Sequence, residues 1–368
     1  MNTETTYPNF SWELAAKYLQ GANSNTCISP PGVFLLLSAI AAASEGLTKE
    51  ELDQVLGGNA LQDVSDGEHF ANVRWLNDLI AQCPVLSNDT SIQVPAKYHL
   101  LSEYHSKLEE VFGGKLNIGN ASDNAVTLQN LIVFRDKWKT KFEETKAVFY
   151  EEPYMHTGYD SVYNENLGRM TIVSQETEKA KGRKIPYISQ DVFGVIVNET
   201  DDFVSVAVPF STDCHMVLSM PKNRPLGDCL GDAEYLKQAL DLSDSWPKRV
   251  KLYLPSFKIK SKLDLVPILT AMGAREVFDE YDGRITKMVD ERLYIESGRQ
   301  ETEVEVNAEG AYAKAVTTFR AVATKMGGMG GTPPLRVIKF NHPFLFAIWQ
   351  SEPTPVPLFV GTFQKLTE

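Results

Sequence analysis

The residue types that perform covalent or acid–base chemistry occur in this chain, but not at the spacings such chemistry requires. GxSxG, HExxH and GxxxxGK[ST] are all missing, and the six histidines pair with no nucleophile motif. His99 and His105 flank a predicted strand-to-helix junction, a structural placement rather than a metal-ligand pair. The four cysteines, Cys27, Cys83, Cys214 and Cys229, fall at no metal-ligand spacing and form no CxxC, so free thiols are expected. The run GGMGG at 327–331 has the glycines of a phosphate loop without its lysine or its strand–loop–helix context. No catalytic residue, metal or cofactor is therefore expected.

What remains with chemical potential is a peptide segment. Residues 304–341, VEVNAEGAYAKAVTTFRAVATKMGGMGGTPPLRVIKFN, read as strand, long loop, strand, because Gly327, Gly328, Gly330, Gly331, Pro333 and Pro334 forbid regular structure between two β-type ends. From Ala311 to Thr324 there is no Gly, Pro, Asp or Glu, and the residues alternate. One side of a strand would carry Ala311, Ala313, Ala315, Thr317, Phe319, Ala321 and Ala323; the other would carry Tyr312, Lys314, Val316, Thr318, Arg320, Val322 and Thr324. That pattern suits a strand entering a crowded sheet with its small side chains inward. By propensity alone an Ala-rich surface helix fits equally well.

The flanks break the tie. Glu305-Val306-Asn307, then Glu309-Gly310, an Ala/Thr stretch and Phe340-Asn341-His342-Pro343-Phe344 resemble the reactive-centre loop of the serpins, and the likeness runs from about Phe10 to Phe363. It implies an α+β serpin fold, with a large mixed central β-sheet, helices and a C-terminal β-barrel. One domain would span 1–368, with an exposed reactive-centre loop at about 308–334. It implies a suicide-type inhibitor as well. A target serine or cysteine protease attacks the loop, which inserts into the central sheet and traps the acyl-enzyme. The alternative is a non-inhibitory serpin, a carrier or chaperone, whose loop is cut without trapping.

On this resemblance Gly310, Ala311, Ala313, Ala315 and Thr317 form the hinge. Gly310 lets the backbone turn in, and the small uncharged residues can be buried at little cost in entropy or desolvation. Counting the family's usual spacing from Gly310 puts the reactive bond at Thr324-Lys325, within a window of 323–329; a loop one residue longer would be cut after Lys325. Trp138 matches the family's tryptophan at the "breach", where the loop first enters. Asn130 and Ser29 match its "shutter", where the sheet parts. Three residues depart from the pattern. Ala308 stands where inhibitory members usually carry an acid, Gln300 where many have a shutter histidine, and Gly32 where a second Ser is common, which is expected to weaken the shutter's hydrogen bonding.

A net charge of -12 disfavours a phosphate backbone, so no nucleic-acid partner is expected, and the basic cluster Lys179, Lys181, Arg183, Lys184 reads as a solvated loop. Residues 1–25 hold no apolar run of signal-peptide length, which points to a cytoplasmic chain or one secreted after processing. The longest apolar stretch, Val33 to Ala43, is too short to span a bilayer, and no membrane partner is expected. The expected state is a monomer that meets a target protease.

The elements that must position the loop follow in order. Phe10, Leu14 and Tyr18 predict a helix that Gly21 ends, and Ser29-Pro30 can cap and open the next. Thr48 with Glu51 suggests a capping box before a helix closed by Gly57-Gly58. Phe70, Val73, Leu76 and Ile80 mark a further helix. Ser91 to Leu101 reads as a strand, Ser102 to Phe112 as a helix, Lys115 to Ile118 as a short strand and Val126 to Phe134 as a strand. Between the last two, serpins usually place about thirty more residues, including a helix across the sheet face; here only GNASDNA is present. Residues 140 to 190 resist assignment. Strands return at VFGVIVNE, FVSVAVPF and CHMVLSMP, then a helix around Asp232 to Leu242, strands Val250 to Pro255 and Phe257 to Lys260, a helix Leu263 to Met272, and a strand Leu293 to Val306 leading into the loop.

Overall fold

The computed structural model describes residues 6–57, 66–112, 116–121, 126–151, 159–164, 169–174, 182–242, 247–311, 335–352 and 355–366. Helix α1 (Thr6–Leu19) buries Phe10, Leu14 and Leu19 and stops before Gly21, whose φ of +74° lies in the left-handed region. After strand β1 (Thr26–Ile28) comes α2 (Pro30–Ala43), buried on all sides apart from Ala42, which explains an apolar run without an amphipathic face. Ser29 is its N-cap by position, but the hydroxyl donates to Leu358 O at 2.6 Å rather than to the helix.

Helix α3 (Gly46–Gly57) corrects the predicted capping box. Thr48 lies inside the helix and its hydroxyl donates to Glu276 Oε2 at 2.6 Å, while Glu51 Oε2 accepts from the backbone of Arg275 (2.8 Å) and Glu276 (2.7 Å). The pair fastens a distant loop. Helix α4 (Asp66–Gln82) is followed by β2 (Leu86–Pro95), which starts and ends earlier than predicted because Pro95 turns the chain at Tyr98. Helix α5 (Ser102–Phe112) and strand β4 (Val126–Phe134) match their predicted bounds, and β3 (Leu116–Ala121) extends beyond its own. Only four residues separate Ala121 from Val126, so no helix fits between β3 and β4.

After the short β5 (Asp136–Lys137), the described residues of the segment that resisted assignment are mostly strand: β6 (Glu143–Phe149), β7 (Tyr159–Asn164), β8 (Arg169–Ser174) and the first half of the long β9 (Arg183–Glu199), whose second half holds the predicted VFGVIVNE. Then follow β10 (Phe203–Pro209), β11 (Cys214–Pro221) and α6 (Ala233–Leu240), capped by the Asp232 carboxylate accepting from Tyr235 N. Strands β12 (Pro247–Pro255) and β13 (Phe257–Asp264), helix α7 (Leu265–Met272), β14 (Ile295–Val306), β15 (Gly310–Ala311), β16 (Leu335–Lys339), β17 (Phe344–Gln350) and β18 (Val356–Phe363) complete the chain.

Two sheets organise these strands. The larger has eleven strands in the order β1-β18-β17-β11-β10-β9-β12-β16-β8-β7, with β6 also paired to β9. The smaller has seven, in the order β3-β2-β4-β14-β15-β5, with β13 also paired to β14. Strict alternation gives the smaller sheet one buried face. In β13, Phe257, Ile259, Ser261 and Leu263 point inward and Lys258, Lys260 and Lys262 outward. Its outer face is a polar ladder: Lys258 pairs with Glu303 (2.6 Å) and Glu305 (2.8 Å), Lys260 with Glu303 (2.8 Å) and Lys262 with Glu301 (3.0 Å). On the same face of β4, Thr127, Gln129, Leu131 and Val133 alternate outward, and among the described residues Leu131 is 48% exposed. All four cysteines are free and buried.

Candidate functional site

The site begins where β14 leaves the smaller sheet. Beyond Val306 the chain reverses and returns antiparallel as β15, pairing Ala311 with Val306 on one side, and Gly310 with Lys137 and Ala311 with Asp136 on the other. The reversal is held by Asn307: its Oδ1 accepts from Glu309 N (2.9 Å) and Gly310 N (3.2 Å), while its own N–H donates to Gly310 O (3.0 Å). Gly310 is required by space. A Cβ there would stand 2.1 Å from Asp136 O and 2.6 Å from Lys137 Cα. Ala311 is buried.

The wall behind this reversal is aromatic and polar in turn. Trp138 is buried, stacks on Phe210 with centroids 4.5 Å apart, and donates from Nε1 to Asn307 O at 2.8 Å. Its backbone N–H donates to Glu309 O (3.0 Å), and that of Phe142 to Ala308 O (3.1 Å). Glu309 also pairs with Lys141. These contacts explain the departure at Ala308. That position is buried, where a carboxylate would need a partner, and the acid next to it, Glu309, takes the lysine. Asp136 accepts from Lys137 N (2.7 Å) and Ser211 Oγ (2.6 Å) and from Thr212, which anchors β5 to the larger sheet.

Further down, β14 and β4 are neighbours, pairing in parallel from Ile295 with Val126 to Glu303 with Val133. Their seam is crossed by buried side-chain amides. Gln300 accepts from Ser29 N at 2.8 Å and donates from Nε2 to Ser29 O (2.7 Å) and Asn130 Oδ1 (2.8 Å). Asn130 Nδ2 then donates to Asn88 Oδ1 (2.8 Å) and Thr90 Oγ1 (2.9 Å). Gly32 does not weaken this cluster. A Cβ at 32 would lie 2.3 Å from the Asn130 amide, so the missing side chain is what admits it. Beside it Cys27 Sγ lies 3.0 Å from Thr302 Oγ1, and burial raises the thiol pKa to about 11.

The structure thus brings Ser29 and Asn130 together through Gln300, and Trp138, Gly310 and Ala311 together at the reversal. Ala313, Ala315, Thr317, Thr324 and Lys325 lie outside the described residues. Sequence reasoning missed Asn307, Lys141 and Asp136. Only Asn307 carried a readable signal, as an Asx residue just before Glu309-Gly310.

The chain matches the family model described as serpin (serine protease inhibitor) over residues 5–366, and it belongs to that family. It is 26% identical to Iripin-2 of Ixodes ricinus, covering 97% of this chain and 92% of that protein. It is 30% identical to human Serpin B3 over 68% of this chain and 57% of that protein. Among solved structures it resembles Serpin48 of Tenebrio molitor, with a TM-score of 0.75 at 18% identity, covering 99% of this chain and 98% of that one. It also resembles human thyroxine-binding globulin, with a TM-score of 0.76 at 15% identity, covering 100% and 99%.

Proposed function

We propose that the chain, acting as one domain over 1–368, is a suicide-type inhibitor of serine or cysteine proteases. A protease attacks the bond after Thr324, the acyl-enzyme forms, and the freed segment enters between β14 and β4. The observation that carries this reading is β15: the first two hinge residues already sit as an antiparallel strand at the top of the seam. The chain reversal, the least favourable part of a hairpin to form, is already made. The residues that follow, through Ala313, Ala315 and Thr317, need only extend the pairing. About 14 residues gaining ~1 kcal/mol each from ladder hydrogen bonds release on the order of 10 kcal/mol. That is ample to distort a bound protease, since a displacement of about 1 Å at its reacting atoms costs ~10²-fold in rate.

The features that would favour a non-inhibitory serpin are Gln300, Gly32, Ala308 and the missing helix. The first three sit in fully paired or sterically matched places, which supports the inhibitory reading over it. Mixing the protein with a panel of active serine and cysteine proteases tests the proposal. An SDS-resistant band near the sum of the two masses is expected with at least one of them. Clean cleavage by every protease that cuts, with full protease activity recovered, would favour the non-inhibitory serpin.

A further inference from the structure

Two of the four buried thiols meet where the smaller sheet abuts the larger. Cys83 lies in the turn from α4 to β2, and Cys214 opens β11. The junction of β4 and β5 holds both turns from one side. Arg135 N donates to Val85 O at 2.8 Å, two residues beyond Cys83, and the Asp136 carboxylate accepts from Ser211 Oγ at 2.6 Å and Thr212 N at 3.3 Å, just before Cys214. The cysteine carbonyls are engaged as well: Leu86 N donates to Cys83 O (3.2 Å) and Phe210 N to Cys214 O (2.9 Å). Between these fixed turns the thiol of Cys214 donates to the sulfur of Cys83. Gln350 Oε1, 3.2 Å from Cys214 Sγ, is a second acceptor for the same proton.

The contact makes the two sulfurs unequal. The hydrogen bond from Cys214 holds the Cys83 thiol below its ordinary value against the opposing pull of burial, whereas Cys214, which keeps the proton, is raised. The other two cysteines face oxygens instead: Cys27 meets Thr302 (3.0 Å) and Ser261 (3.9 Å), Cys229 donates to Pro225 O (3.7 Å), and burial raises both. We propose that Cys83 and Cys214 form a reversible disulfide site, oxidised by hydrogen peroxide, that ties α4 and β2 to β11. An oxidant little larger than water suits thiols this buried. The Cys83 thiolate attacks the peroxide, so that an S–O bond forms, the O–O bond breaks, and the leaving hydroxide takes up the proton that Cys83 gave up, as water. Cys214 then attacks the sulfenic sulfur; the S–S bond forms as the S–O bond breaks, and a second water carries off the Cys214 proton. Two electrons pass from the two sulfurs to one peroxide. None of this depends on how the loop works.

Treating the reduced full chain with a modest excess of hydrogen peroxide, then alkylating it in denaturant and mapping its peptides, tests the site. Two of the four thiols should be lost, recovered together as one Cys83 to Cys214 linked peptide about 2 Da lighter than its two halves, and dithiothreitol should restore them. Cys27 and Cys229 should remain open to alkylation. In Cys214→Ser nothing resolves the first product, so Cys83 should be trapped by dimedone as a sulfenic acid; in Cys83→Ser the Cys214 thiol should survive the same treatment. Should neither variant fold, the peptide map of the parent chain decides by itself. Cys83 and Cys214 both alkylated after peroxide, a link between any other pair, or Cys27 and Cys229 consumed as fast as Cys83 would each overturn the assignment.

Discussion

The two ends of one seam are built from opposite materials. At the top, β14 and β5 are already held apart by β15, and the contacts are backbone hydrogen bonds on an aromatic wall formed by Trp138 and Phe210. Lower down, β14 and β4 pair directly through their own parallel ladder, and this part of the seam is crossed in addition by buried side-chain amides, Gln300 and Asn130, fastened to Ser29 beneath. Backbone pairing is indifferent to side-chain identity and can be handed on to a new strand residue by residue. An amide cluster is specific and must break as a unit, leaving buried donors and acceptors unpaired while it does so. On the proposed mechanism the top is therefore where insertion begins, and the Gln300 cluster is where it is delayed.

The largest expected effect lies at the top. Gly310→Val puts a side chain where Asp136 O and the Lys137 backbone already are, so β15 cannot form and the hairpin has no start. We expect the stoichiometry of inhibition to rise more than about tenfold, the variant being cut as a substrate at an undiminished rate. Stoichiometric inhibition by this variant would mean that β15 is not where insertion starts. Next comes the alternation of the hinge. Ala313→Glu places an unpaired carboxylate on the inward side of the inserted strand at a cost of several kcal/mol, whereas Lys314→Glu faces outward and costs little. The first variant should turn inhibitor into substrate and the second should largely keep inhibition; equal effects would show that the hinge does not insert with period two.

How much of this was legible in the sequence follows the same division. Helix α5 and strand β4 could be bounded to the residue because Ser102 opens one and a run rich in β-branched and apolar residues without Gly or Pro marks the other. Strands β6 to β9 could not, since they mix Glu, Lys and Tyr and owe their conformation to pairing with each other and with β12. At the site, residue types were readable and their partners were not. Gln300 and Asn130 are 170 positions apart, and only the parallel register of β14 on β4 places them opposite each other. The same register gives Gly32 its meaning: read alone it is a lost hydroxyl, whereas in place it is the room that the Asn130 amide fills.

A smaller effect is expected lower in the seam. Gln300→Ala leaves Ser29 N, Ser29 O and Asn130 Oδ1 without their partner in a buried position, so the native fold should lose on the order of 2–4 kcal/mol. Because the cluster holds the closed seam, its loss should also speed insertion once the loop is cut, read as faster formation of the protease-resistant cleaved form. Lower stability with unchanged insertion rate would move the delay away from Gln300.

The smallest effect separates the seam from the rest by pH. Neither the β15 reversal nor the Gln300 cluster contains an imidazole, so insertion itself should not change rate between pH 8 and 5, a range within which an unperturbed histidine would titrate. Global stability should behave differently. His215 and His342 lie in and beside the larger sheet, and burial lowers both from the ordinary 6.5 to about 4. A depressed folded-state value means that the unfolded chain binds more protons between pH 6.5 and 4. The contribution of each imidazole is thus whole above about pH 6.5 and is lost progressively down to about pH 4. Denaturation midpoints followed across that window should fall with acid, and less steeply in His342→Gln than in the parent chain. Insertion rates, followed over the same pH values, should stay level. A rate that tracks the stability loss would mean that opening the seam requires loosening the larger sheet, and the two regions would then have to be treated as one mechanical unit.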